Sequence, residues 1–221
     1  MNNKTIKGVL FDLDGTLVDT APDMVYALNM LLNNYNMPSV DYVQTRALVS
    51  DGALALLKHG FGDDLMLHNA LRLRHEYLEL YADNIHIHSR VFKGFERVQS
   101  AFDHHNIPWG IVTNKPAFLS NSLLEKIPGL EQSRCLIAAD SMPLRKPHAC
   151  GLLLGAAEIG VAPWHCAYIG DSRRDIQAAQ HARMHSVAAT YGYIKDDDDH
   201  RSWGADCFID ALPELSDIVK P

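Results

Sequence analysis

The chain has 221 residues, enough for one α/β domain carrying an insertion and tight for two domains in series. Hydrophobic residues make up 47% and charged residues 21%, an ordinary balance for a globular enzyme, and a net charge of −7 with no lysine/arginine run argues against a nucleic-acid surface. No apolar run reaches the ~20 residues of a membrane span, and the first one is too short for a signal peptide, so the expectation is a cytoplasmic protein without membrane contact. Cys135, Cys150, Cys166 and Cys207 are scattered without C-x-x-C spacing and read as reduced thiols. The 12 histidines form no H-x-E or H-E-x-x-H pattern.

In chain order, the apolar run Ile6 to Phe11 predicts a short strand buried on both faces, closed at once by turn residues. Pro22 suits the first turn of a helix, and Val25, Leu28, Leu31, Leu32 and Tyr35 follow at helical spacing. Further helical patterns begin near Val40, run from Ala53 to Lys58 after the polar turn Ser50-Asp51-Gly52, and run from Leu65 to Tyr81. Residues from about 21 to 88 therefore predict a helical block without a strand, an insertion rather than a crossover. Regular alternation follows: helix Phe95 to His104, strand Trp109 to Val112, helix Pro116 to Lys126 and strand Cys135 to Ala138. Helix Ala149 to Ile159, strand Cys166 to Ile169, helix Arg173 to Arg183, strand Ser186 to Ala189, a short strand Cys207 to Ile209 and a helix from Leu212 complete it. Alternating strands and helices define an α/β fold with a parallel sheet in three layers. The run Asp196 to Asp199 reads as a solvated loop.

Chemistry collects at the predicted strand ends, where open α/β sheets bind ligands. Asp12 and Asp14 leave the first strand one residue apart, with Gly15 permitting the turn between them and the next segment. Such a pair can share a divalent cation while each acid keeps a separate task; Asp-x-Asp-Gly is also ordinary turn material. Thr113 and Asn114 end the second core strand, where a hydroxyl and a backbone N–H can hold a phosphoryl oxygen, or simply make a turn. Lys146-Pro147 is expected to open the next helix with the lysine reaching the same edge. The strand before Gly170 delivers Asp171, a hard-oxygen magnesium ligand, and Asp175 lies four residues on, able to act through water.

Taken together, Asp12-Leu13-Asp14-Gly15-Thr16, Thr113-Asn114, Lys146-Pro147 and Gly170-Asp171 with Asp175 resemble the haloacid dehalogenase-like (HAD) hydrolase superfamily over essentially the whole chain. The resemblance implies a three-layer Rossmann-like core, residues 1–18 and 91–221, and an inserted all-helical type 1 cap, residues 19–90. It implies Asp12 as nucleophile and Asp14 as general acid/base. Mg2+ would be held by Asp12, the backbone carbonyl of Asp14 and Asp171, and the phosphoryl group by Thr113, Asn114 and Lys146. Leu17-Val18-Asp19-Thr20 and Arg46 to Ala53 are similar to the phosphoglycolate phosphatase-like group. Val49-Ser50-Asp51-Gly52-Ala53, Thr113-Asn114-Lys115-Pro116, Tyr191-Gly192-Tyr193-Ile194 and Trp203-Gly204-Ala205-Asp206 are similar to bacterial N-acetylmuramic acid 6-phosphate phosphatases of peptidoglycan recycling.

The expected activity is thus hydrolysis of a small phosphomonoester through an aspartyl-phosphate. A β-phosphoglucomutase-like isomerase and a non-catalytic HAD-fold binding protein are the alternatives. In the cap, Arg46, Ser50, Asp51 and Gly52 are expected to govern specificity, with Arg46 pairing a substrate carboxylate. The sequence leaves the oligomeric state open.

Overall fold

The computed structural model describes residues 5–65 and 69–219. β1 (Gly8–Phe11) leads into β2 (Val18–Asp19), the helices α1 (Ala21–Asn34), α2 (Tyr42–Arg46), α3 (Ala53–Phe61) and α4 (Ala70–Asp83), and then β3 (Arg90–Val91). Alternation follows through α5 (Phe95–His105), β4 (Trp109–Val112), α6 (Ala117–Lys126), β5 (Leu136–Ile137) and α7 (Cys150–Glu158). The chain continues through β6 (Cys166–Gly170), α8 (Arg173–His181), β7 (His185–Ala189), β8 (Cys207–Ile209) and α9 (Leu215–Ile218).

Six strands form one parallel sheet in the order β5-β4-β1-β6-β7-β8. β1 reads Gly-Val-Leu-Phe and is buried throughout, as a central parallel strand covered on both faces must be. Because strand side chains alternate, Val9 and Phe11 join one core with Phe95, Phe102, Leu123 and Leu215 of α5, α6 and α9. Leu10 points the other way, into a second core with Leu152, Ala156, Ala178 and Ala179 of α7 and α8. The result is three layers, a Rossmann-like parallel sheet with helices on both faces. The all-helical cap, inserted after β1, extends the first core through Leu28, Leu31, Leu57, Leu73 and Tyr77.

The insertion leaves and rejoins the sheet side by side. β2 and β3 pair antiparallel, Val18 opposite Val91 and Asp19 opposite Arg90. Asp23, fully buried in α1, accepts bonds from the backbone N–H of His88 and Ser89, both 2.8 Å, and from the Ser89 hydroxyl at 2.6 Å. A buried carboxylate is tolerated only when so satisfied, and here it fastens the entry of the insertion to its exit.

Several elements differ from the sequence expectation. β1 starts at Gly8, although Ile6 is buried, and the strand after α6 shrinks to Leu136–Ile137. The long cap helix starts at Ala70, where the Asn69 side chain accepts from Leu71 N and Arg72 N; Met66 to His68 of the expected helix lie outside the described residues. Lys146-Pro147 does not open α7, which begins at Cys150. The Asn114 side-chain amide bonds the backbone N and O of Lys146, 3.1 Å each, and holds that stretch as a loop. The helix expected from Leu212 is a 3₁₀ turn, Leu212–Glu214, followed by α9. Among the described residues no helix is long and apolar enough to cross a membrane. All four cysteines are free thiols.

Candidate active site

β4, β1 and β6 are neighbours, in register at Ile111, Phe11 and Ile169. β1 ends at Phe11, while β4 and β6 each run one residue further, to Val112 and Gly170, so the first residue past each strand leaves the same sheet edge. Thr113, Asp12 and Asp171 emerge there, and β1 is the strand at which the order of the sheet reverses. Gly15 follows with a positive φ of 78°. A Cβ on Gly15 would run into the Asp171 carboxylate and the Tyr193 ring, so the turn after Asp14 is open to glycine alone.

Lys146 sits at the centre of the charges. Its ammonium lies 2.9 Å from Asp12 Oδ1 and 2.7 Å from Asp175 Oδ1, and it donates to the Tyr168 hydroxyl at 2.9 Å. That hydroxyl donates in turn to Val112 O at 2.7 Å, locking the lysine to β4. Burial works against the ammonium, but the Asp12 and Asp175 charges outweigh it and raise its pKa. Asp175 also caps α8, accepting from Ser172 N at 3.1 Å and from the Ser172 hydroxyl. It is thus committed to holding Lys146 and the start of α8.

Asp12 Oδ1 accepts from Leu13 N at 2.7 Å besides Lys146, which leaves Oδ2 uncommitted. Burial pushes the Asp12 carboxyl up to about 6, against the pull of Lys146. Asp171 is pushed further, to about 8, by burial and then by the charges of Asp175 and Asp12. Its Oδ2 accepts from Tyr193 N at 2.7 Å and from the Ser50 hydroxyl at 3.1 Å, while its Oδ1 is buried with no hydrogen-bond partner.

A buried carboxylate oxygen without a partner, set among like charges, is chemically suited to a cation. Asp12, Asp171 and Asp175 offer ligand oxygens that all lie within 4.8 Å of one another. A hard divalent ion such as Mg2+ fits this donor set.

The raised value of Asp171 gives a prediction for the metal-free protein. A carboxyl whose folded value lies near 8 instead of 3.8 favours folding most when protonated, and that contribution is lost as pH rises through about 8. The melting temperature of wild type should therefore fall relative to Asp171→Asn between about pH 5 and pH 8.5, and Mg2+ should restore it at the high end. Parallel pH curves for the two proteins would show that Asp171 is not so placed.

Asp14 is held differently. Its Oδ1 accepts from the Thr20 hydroxyl at 2.6 Å and pairs with Lys115 at 2.9 Å. Thr20 sits at the N-cap of α1 and gives its hydroxyl to Asp14 instead of capping a backbone N–H of the helix. Lys115 is buried, donates to the Tyr81 hydroxyl at 2.8 Å and lies 4.4 Å from the centre of that ring. Tyr81 belongs to α4, so the acid at position 14 is linked through Lys115 to the cap. No local pattern marks Lys115, Thr20 or Tyr193 for these contacts; a lysine directly after Thr113-Asn114 is the available signal.

Among the expected residues, Asp12, Asp14, Thr113, Asn114, Lys146 and Asp171 all line a single cavity of about 260 Å³ between the cap and the sheet edge, together with Ser50, Asp51 and Gly52. The Asn114 side chain is turned onto the Lys146 backbone and positions that lysine, in place of the expected phosphate contact. Gly52 has a φ of 84° and starts α3, which explains the glycine. Asp51 is paired with Arg174 at 3.2 Å and Lys195 at 2.5 Å, and Arg174 also donates to Ser50 O at 2.6 Å, so the cap turn docks on the core.

Arg46 corrects the expectation most. It does not line the cavity; it donates to Gly192 O at 3.0 Å and Tyr191 O at 3.5 Å and lies over the Tyr193 ring at 4.6 Å. Its guanidinium is consumed in fixing the cap to the loop that holds Asp171, not turned toward a substrate carboxylate.

Comparison with known proteins agrees with this architecture. Residues 9–189 match the haloacid dehalogenase-like hydrolase family, and the chain belongs to it. Within that family it falls among phosphatases. A phosphoglycolate phosphatase of Xanthomonas campestris pv. campestris is 40% identical over 210 residues, 95% of this chain and 94% of that protein. An N-acetylmuramic acid 6-phosphate phosphatase of Pseudomonas aeruginosa is 35% identical over 219 residues, 99% of this chain and 97% of that protein. The crystal structure of a predicted phosphoglycolate phosphatase from Haemophilus somnus shares the fold, with a TM-score of 0.86 at 23% identity, covering 98% of this chain and 99% of that one. A subfamily IA HAD hydrolase from Geobacter sulfurreducens matches with a TM-score of 0.72 at 21% identity, over 99% of both chains.

Proposed function

We propose that this protein is a cytoplasmic Mg2+-dependent phosphomonoesterase that works through a phosphorylated Asp12. The observation that carries the reading is the division of labour between two acids one residue apart. Asp12 is fixed through one oxygen by Lys146 and Leu13 N, while Asp14 is held by Lys115 and Thr20.

Asp12 Oδ2 attacks phosphorus, forming an acyl-phosphate as the ester P–O bond breaks. Asp14 gives its proton to the departing alcohol. Asp14 then takes a proton from water, which attacks the same phosphorus and frees Asp12 and inorganic phosphate. Lys146 and the Thr113 hydroxyl meet the transferred oxygens at the strand tips. When bound by Asp12, Asp171 and the Asp14 backbone carbonyl, Mg2+ would screen the carboxylates from the phosphoryl oxygens and hold them in line.

The substrate is a small phosphorylated acid or sugar acid. 2-Phosphoglycolate and N-acetylmuramic acid 6-phosphate are the two candidates, taken from the names of the relatives. The test is release of inorganic phosphate from a panel of phosphomonoesters. Activity should need Mg2+, vanish with EDTA and be inhibited by Ca2+, which takes more ligands in looser geometry. Metal-independent turnover would contradict the reading, and sugar phosphates that are rearranged without phosphate release would point to a mutase instead.

A further inference from the structure

The cavity above Asp12 is lined by five cationic side chains, Arg74, Lys115, Arg145, Lys146 and Arg174. Three are committed to fixed partners: Lys115 to Asp14, Lys146 to Asp12 and Asp175, and Arg174 to Asp51. Among the described residues, no ion pair engages Arg74 or Arg145. The nearby acids of α4 are used elsewhere, Glu76 by Arg72 at 2.7 Å and Glu79 by His75 at 3.3 Å. Arg74 is half-buried and Arg145 exposed, so both guanidinium groups are reachable from solvent. Two free guanidinium groups lining a cavity whose floor already carries its own cations imply a second anion on the ligand.

Helix α4 measures how far that anion lies from phosphorus. Arg74, Tyr77, Leu78 and Tyr81 all line the cavity, spaced as one face of the helix. Tyr81 marks the reacting end, because it bonds Lys115, which bonds Asp14. Arg74 stands seven residues earlier on the same helix, an axial offset of about 10 Å at ~1.5 Å per residue. The Cβ bonds of both residues tilt toward the helix N-terminus, so the spacing is kept at side-chain level. The same cavity also carries apolar side chains, Met24, Val49, Leu54, Leu78, Pro116 and Leu119, able to face a carbon body. A cavity of about 260 Å³ approaches the ~300 Å³ at which pockets begin to enclose whole organic ligands.

We propose that Arg74, assisted by Arg145, forms a carboxylate subsite, and that the substrate is a phosphomonoester with a six-carbon or ring-sized body whose carboxylate lies at the end opposite the phosphate. This deepens, and rests on, the phosphomonoesterase reading of the site. It selects against 2-phosphoglycolate, whose carboxylate is one methylene from the ester oxygen and cannot span from Asp12 to Arg74.

The test compares kcat/KM of wild type, Arg74→Met and Arg74→Glu on 6-phosphogluconate, glucose 6-phosphate, glucosamine 6-phosphate, 2-phosphoglycolate and p-nitrophenyl phosphate, with Mg2+ present. Wild type should prefer 6-phosphogluconate to both glucose 6-phosphate and 2-phosphoglycolate. Arg74→Met should lower the 6-phosphogluconate to glucose 6-phosphate ratio by about tenfold or more, chiefly through KM, the loss expected for one charge-assisted hydrogen bond. Arg74→Glu should lower it further and shift preference toward glucosamine 6-phosphate. Ratios that do not respond to either variant, or a wild-type preference for 2-phosphoglycolate, would overturn the subsite. Failure of wild type to release phosphate from any of the five, p-nitrophenyl phosphate included, would instead overturn the phosphomonoesterase reading on which it rests.

Discussion

Asp12→Asn is expected to lower turnover by at least ~10³-fold while the protein stays folded. The amide keeps the shape of the side chain and can still accept from Leu13 N and Lys146, but it lacks the charged oxygen that attacks phosphorus. Lys146 retains Asp175 as counterion, so the buried ammonium is not stranded. Steady-state phosphate release, with a melting curve on the same sample, separates chemistry from folding. A folded variant that turns over within tenfold of wild type would remove Asp12 from the mechanism.

Lys146→Met should cost both activity and stability. The side chain is 3% exposed, and its loss leaves Asp12, Asp171 and Asp175 converging without a protein cation. Breaking a buried ion pair by removing one partner costs about 3–5 kcal/mol, a large share of the 5–15 kcal/mol that holds a domain together. Turnover should fall at least ~10²-fold with it, since the phosphoryl oxygens lose their fixed positive charge. The sign with pH is also determined. Asp12 and Asp171 take protons as pH falls through about 6 and about 8, so the stability penalty should shrink toward acid. Urea denaturation of metal-free protein at two pH values measures this. A penalty below about 1 kcal/mol, or one that grows as pH falls, would contradict the account of the charge cluster.

That Asp12, Thr113 and Asp171 meet at one sheet edge is legible in the sequence, because it depends on local rules. Strand length, the turn after Phe11 and the order of motifs place Asp12, Asp14, Thr113, Lys146 and Asp171 in the same cavity, and Asp175 meets Asp12 and Asp171. What stayed hidden depends on how the helical insertion docks. Ser50 meets Asp171 across 121 positions of sequence, and Arg46 meets Gly192 across 146, contacts that no periodicity encodes. An arginine near a cap turn is read as a substrate ligand only until a backbone carbonyl is found to occupy it. The same holds for Lys115, whose neighbours in sequence suggest a turn and whose neighbours in space are Asp14 and Tyr81. Tyr193 belongs with these: its N–H holds Asp171 while its hydroxyl donates to Asp19 and accepts from Ala21 N, joining the site to the root of the cap.

Transfer of phosphate through Asp12 is tested most directly by a rapid quench of the enzyme with Mg2+ and a turned-over phosphomonoester, followed by peptide mass mapping. A hydroxylamine-labile phosphoryl adduct is expected on the peptide carrying Asp12, accumulating further in Asp14→Asn, whose water lacks its base, and absent from Asp12→Asn. Phosphate release that proceeds with no adduct at any quench time, or with the adduct on another residue, would contradict transfer through Asp12.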